Sequence, residues 1–276
     1  MKFLIADGEM VEVKEINLNQ LITEPSFQLS QKVWYGYGGI PLFKENLLQL
    51  KIQAERLRIN YPDEFDNHGE LFRLTKRMLN KNKFYRSGYI HFQLFYSSGE
   101  VHFLISCNAT RFFDFPYSEN GVLATLSAQQ KQSKNSWNRF PFYNKMIWQA
   151  GRAEIHQSLY QQVIFLNESH SVCEGVHANI FLIKANELIT PDLSGGCYED
   201  LLRAHILEAS KEAGLKVTEM SRIDEAMIYE MDEIFLASES SGIQWVLGIN
   251  NKRYLRQFSE SIHERINFIF KKKAAF

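Results

Sequence analysis

The chain is short of the residues that cross-link or punctuate a fold. Three cysteines, Cys107, Cys173 and Cys197, are spread over 276 residues. This odd count, with neither disulfide nor zinc-ligand spacing, excludes a disulfide scaffold and fits reduced thiols in the cytoplasm. Prolines number six, and the chain holds no internal repeat or low-complexity run. Neither sign of charge is in excess: 31 Lys+Arg stand against 32 Asp+Glu, a net charge of -1. A nucleic-acid-binding face therefore lacks an electrostatic footing. The one basic run, Lys271-Lys272-Lys273, reads as a solvated helix end, where cations suit the dipole. No apolar stretch approaches the ~20 residues of a membrane-spanning helix. The opening MKFLIADGEM turns acidic too soon for a secretory leader.

What is present is core-forming material. Apolar residues make up 45%, enough for one large or two small domains. Phe3-Leu4-Ile5 opens a strand, and Asp7-Gly8 turns it into Met10–Val13. Helical spacing runs from Pro41 to Ile59 and again from Leu71 to Leu79. Tyr89–Tyr96 and Val101–Cys107 read as paired strands joined at Ser97-Ser98-Gly99. Pro116 and its polar neighbours break the pattern, which sets an expected boundary between an α+β domain, residues 1–117, and a second, residues 118–276. There, Val122–Ser127 reads as a strand and Gln129–Asn138 as irregular. A helix is expected from Pro141, suited to a first turn, to about Tyr160. Another is expected from Glu199 to Ala213, ended by Gly214, and a last one from Ser259 to Lys271.

The stretch Val163–Phe181, VIFLNESHSVCEGVHANIF, carries the most information. It reads as strand, polar turn, strand, and it plants a carboxylate, Glu174, among apolar residues where a charge needs a reason to be.

With that stretch in place, the chain resembles the class IV aminotransferases, which include branched-chain and D-amino-acid aminotransferases and aminodeoxychorismate lyase. The matching elements are Leu166-Asn167, Val172-Cys173-Glu174-Gly175, Asn179-Ile180-Phe181, Leu188-Ile189-Thr190-Pro191, Arg203 with Ile206-Leu207, Gly214–Val217, Asp232-Glu233-Ile234-Phe235 and Gly242-Ile243. Weaker matches are Asp7–Val11 and Glu55-Arg56-Leu57. The resemblance implies a two-domain α+β fold of fold type IV with a cleft between the domains, a homodimer, and pyridoxal phosphate acting on small amino acids. It implies that Glu174 faces the cofactor's pyridine nitrogen, that amides near Leu202 face its phosphate, and that Ser238, Ser240 and Ser241 lie in the other phosphate loop.

The resemblance also marks departures. The family's Schiff-base lysine precedes a helix in a K-x-x-N or K-x-x-x-N pattern. Counting back from Asn144 reaches Pro141 or Phe140, and neither forms an imine. Lys145, one turn after Pro141, is the best substitute on that face. Lys131 and Lys134 fall in the stretch read as polar loop. The family's phosphate-binding arginine is matched by Gln49, which lacks the charge and the bidentate fork. Its glycine-rich entry is replaced by Glu24-Pro25-Ser26-Phe27. Glu199 and Asp200 put negative charge where a phosphate would sit. Three expectations follow: an enzyme with Lys145 recruited, a non-catalytic homologue using the cleft for another small molecule or the dimer for interaction, or a cofactor-independent enzyme. In the second, Trp137, Phe140, Phe142, Tyr143 and Trp148 would fill or reline the cavity.

Overall fold

The computed structural model describes residues 1–16, 27–97 and 99–274. Ser98, in the expected 97–99 turn, and Glu24, Pro25 and Ser26 lie outside the described residues. The chain divides into two compact units, Met1–Phe115 with the residues from Ile269 on, and Pro116–Phe268.

In the first unit, strands β1 (Phe3–Ala6), β2 (Glu9–Glu12), β3 (Phe27–Tyr35), β4 (Gly88–Ser97) and β5 (Glu100–Ala109) form an antiparallel sheet in the order β2-β1-β5-β4-β3. Burial alternates along β4, as expected when one face of a sheet meets the core. Helices α1 (Phe43–Leu57), α2 (Asp63–Asp66) and α3 (His68–Lys81) supply the other layer. Phe43, Phe65, Phe92 and Phe103 meet edge to face at its centre, with centroids 4.9–6.0 Å apart. That arrangement suits the ring quadrupoles.

The described strands of the second unit are β6 (Tyr117–Lys131), β7 (Gln162–Asn167), β8 (Val172–Gly175), β9 (Ala178–Lys184), β10 (Glu187–Pro191), β11 (Lys216–Met220), β12 (Glu233–Ser238), β13 (Gly242–Ile249) and β14 (Lys252–Arg253). Their order is β11-β10-β9-β12-β13-β6-β7-β8, and β8 also pairs with β9. Six strands therefore close on themselves, which leaves no free edge among them. Val122, Ile164, Ile180, Leu182, Ile234, Leu236 and Val246 fill the core. Helices α4 (Pro141–Glu154), α5 (Leu202–Glu212), α6 (Glu225–Glu230) and α7 (Ser259–Ala274) complete the list of described helices.

Several sequence expectations shift. The 163–181 stretch is three strands, β7, β8 and β9, because a second turn falls at His177, whose φ is 54°. β6 extends to Lys131 through residues read as irregular, because pairing of Gln130 and Lys131 with Leu166 and Asn167 of β7 overrides their polarity. α4 stops at Glu154, whose carboxylate reaches Ser127 Oγ (3.0 Å) and the Ala128 amide (3.1 Å). α5 starts at Leu202 rather than Glu199.

Candidate functional site

Glu174 is fully buried on β8, between β7 and β9, opposite Phe165 and Asn179. Its carboxylate is surrounded by this chain's own donors. Lys131 Nζ lies 2.7 Å from Oε1, with both side chains essentially inaccessible. The approach is not that of an aligned hydrogen bond, but opposite charges at this range in a poorly screened interior attract regardless of angle. Trp148 Nε1 donates to the same oxygen at 2.8 Å. The Tyr198 amide donates to Oε2.

Lys131 reaches this place through an irregularity. Along β6 and β7, Leu126 pairs with Ile164 and Gln130 pairs with Leu166. Three residues of β6 thus bulge out opposite a single residue of β7, held there by Glu154. A bulge re-aims the side chains beyond it, and here it turns Lys131 inward. The reading of Lys131 as a loop residue is thereby corrected. No local signal in Gln129–Asn138 announces the bulge.

Lys145 sits half-buried on α4, and burial lowers its ammonium pKa below the usual lysine value. The lysine shown at Glu174 is Lys131. Pro141 is the first residue of α4 and Phe140 its cap. Trp137, Phe140 and Phe142 pack on one another. Tyr143 is exposed, and its hydroxyl accepts from Asn135. Of the five aromatics, Trp148 is the one that reaches the buried carboxylate. It is flanked by Tyr198 and by His177, the latter 4.1 Å away between ring centroids.

The second half of the site lies where residues 198–200 cross the hairpin. Asn179 Nδ2 donates to Tyr198 O (2.5 Å), and the Asp200 amide donates to Asn179 Oδ1 (3.2 Å). This clips the segment beside Glu174 and turns the Asp200 side chain inward. Asp200 Oδ1 accepts from two amides on separate elements: Leu202 at the start of α5 (2.9 Å) and Glu239 in the turn between β12 and β13 (2.8 Å). Tyr198 OH donates to Oδ2 (3.2 Å). Burial raises the Asp200 pKa to about 6, against the pull of these donors. Asp200 Oδ1 thus meets the amide of the first residue of α5, and Glu199 and Asp200 lie before the helix rather than in it. Glu199 behaves otherwise: it faces outward and pairs with Arg139 at 2.5 Å. The expectation that both acids enter the site is corrected to Asp200 alone.

Ser238 Oγ lies 2.6 Å from Ser241 Oγ and 3.2 Å from Ser240 Oγ, so the serine turn is bonded within itself. In the first unit, Gln31 Nε2 donates to Gln49 Oε1 (2.8 Å) and Asn46 Oδ1 (2.7 Å), an uncharged amide cluster. Among the described residues, no group of three or more His, Cys, Asp or Glu side chains is placed to hold a metal ion. No helix there is long and apolar enough to cross a membrane.

Residues 33–249 match the sequence profile of amino-transferase class IV. A probable branched-chain-amino-acid aminotransferase of Aquifex aeolicus is 25% identical over 92% of this chain and 86% of its own length. The fold is similar to that of a branched-chain amino acid aminotransferase from Thermobaculum terrenum solved in its PLP form, with a TM-score of 0.84, 17% identity, and coverage of 98% of this chain and 94% of that one. It is also similar to a putative 4-amino-4-deoxychorismate lyase from Legionella pneumophila, with a TM-score of 0.76, 18% identity, and coverage of 88% and 91%.

Proposed function

We propose, from the premise that this chain belongs to the amino-transferase class IV family, that it is a homologue which works without pyridoxal phosphate. In such enzymes the cofactor is an electron sink, and the protein must supply an amine, a partner for the ring nitrogen and an anion cradle. The residues present do not fit that group. The observation that carries the reading is the Glu174 carboxylate, whose charge is already met by Lys131 and whose oxygens also accept from Trp148 and the Tyr198 amide. Pro141 and Phe140, at the expected amine position, and Gln49, in place of the arginine, agree with it.

The test is direct. Purified full-length protein mixed with pyridoxal phosphate should stay colourless, and borohydride should trap no adduct on any lysine. A yellow adduct fixed to one lysine would sink the reading.

A second reading is favoured by one observation. Burial lowers the Lys145 pKa, which leaves more of the free amine that a Schiff base needs. In that case the protein is an aminotransferase acting on small amino acids, the activity named for its Aquifex relative, and the trapped adduct lies on Lys145. In either reading we propose a cytoplasmic homodimer, which light scattering after gel filtration would report as twice the chain mass.

A further inference from the structure

We infer that Asp200 is a built-in anion that closes the site from within, deepening the cofactor-free reading on which it rests. The geometry makes the case. Two backbone N–H groups, on Leu202 and Glu239, converge on one oxygen at 2.9 and 2.8 Å. They belong to elements far apart in sequence, so their convergence is a product of the fold. The oxygen they share is carried by a side chain of this chain, 5% exposed, with Tyr198 OH on its second oxygen.

A carboxylate and an oxyanion ligand present the same acceptor to such amides, and they cannot both be present. The buried Glu239 and Glu174 side chains stand close enough to act on Tyr198 electrostatically, so a second anion beside Asp200 would meet repulsion as well as a filled position. Together with Lys131 at Glu174, the chain supplies a cation where its buried carboxylate requires one and an anion where its paired amides require one. Both of these needs are met without a charged guest.

The experiment uses inorganic phosphate with the full-length protein, comparing melting temperatures in phosphate and in chloride at equal ionic strength. The unaltered chain and Asp200→Asn, which keeps the acceptor oxygen, should not respond. Asp200→Gly and Asp200→Ala should melt about 2–4 °C higher in saturating phosphate. In parallel, the Leu202 and Glu239 amide resonances of the unaltered chain should stay unmoved as phosphate is added. Movement of those resonances, or a folded Asp200→Gly that ignores phosphate, overturns the inference. Should neither small-residue variant fold, the amide titration of the unaltered chain decides. These outcomes are separate from the lysine-trapping result. A yellow adduct on the unaltered chain removes the proposed function, whereas indifference of Asp200→Gly to phosphate removes only the plug.

Discussion

The buried ion pair at the site and the buried Asp200 have opposite consequences for stability. An ion pair taken out of water gains little net, because desolvation offsets attraction, but breaking it strands one charge at a cost of ~3–5 kcal/mol. Lys131→Met should therefore lower the unfolding free energy by about that much in urea titrations, and Lys131→Met with Glu174→Gln should recover most of it. A loss below about 1 kcal/mol in the single variant would mean the two groups are not paired. Asp200 behaves differently because burial raises its pKa from 3.8 to about 6. Between those values the folded state holds the proton more tightly than the unfolded chain, so this group's contribution to stability falls as pH rises through the window. A shift of this size corresponds to roughly 3 kcal/mol. Asp200→Asn should match the parent near pH 4 and become the more stable protein by pH 7. Urea unfolding at both pH values would show it; equal stability at both would contradict the raised pKa.

At the scale of elements, α4 lies so close to β7 that a Cβ on Gly151 would fall 2.5 Å from Phe165 Cζ. Phe165 is fully buried and has no room to retreat. Gly151→Ala should cost about 1–3 kcal/mol by overpacking, readable as a lowered urea midpoint with unchanged slope. The elements around it differ in how openly the sequence declares them. β7 and β9 are legible because Val163–Leu166 and Ile180–Phe181 are apolar and β-prone. Pro141 marks the start of α4 by its fixed φ. Lys131 was illegible because Gln-Gln-Lys-Gln-Ser-Lys-Asn is a polar string, and only pairing with residues some 35 positions away reveals the bulge that turns one lysine inward. Asp200 was half legible. Its charge could be placed near the start of a helix, but the second amide, from Glu239, comes from a turn that sequence spacing cannot bring near. Glu199 carries the same charge one residue earlier and points outward to Arg139. The hairpin was therefore legible from residue types, while the electrostatic closure of the site came from long-range pairing.

For the molecule as a whole, α7 begins in the second unit and its residues from Ile269 on belong to the first. Phe270 is fully buried there, with ring centroids 5.6 Å from Trp34 and 5.1 Å from Phe115. Phe270→Ala should cost about 3–5 kcal/mol, and hydrogen exchange should locate the loss in β3 and its neighbours while β7, β9 and β12 stay protected. A uniform loss across both units would argue against the division. This return of the chain bears on the order of events during synthesis. The residues up to Phe115 leave the ribosome first, yet the ring that Trp34 and Phe115 enclose is not made until residue 270. Of the two units, the one translated earlier is thus completed last: Trp34 can pack on Phe115 and Tyr37 beforehand, but the stacked face that Phe270 covers is closed only when α7 has been made.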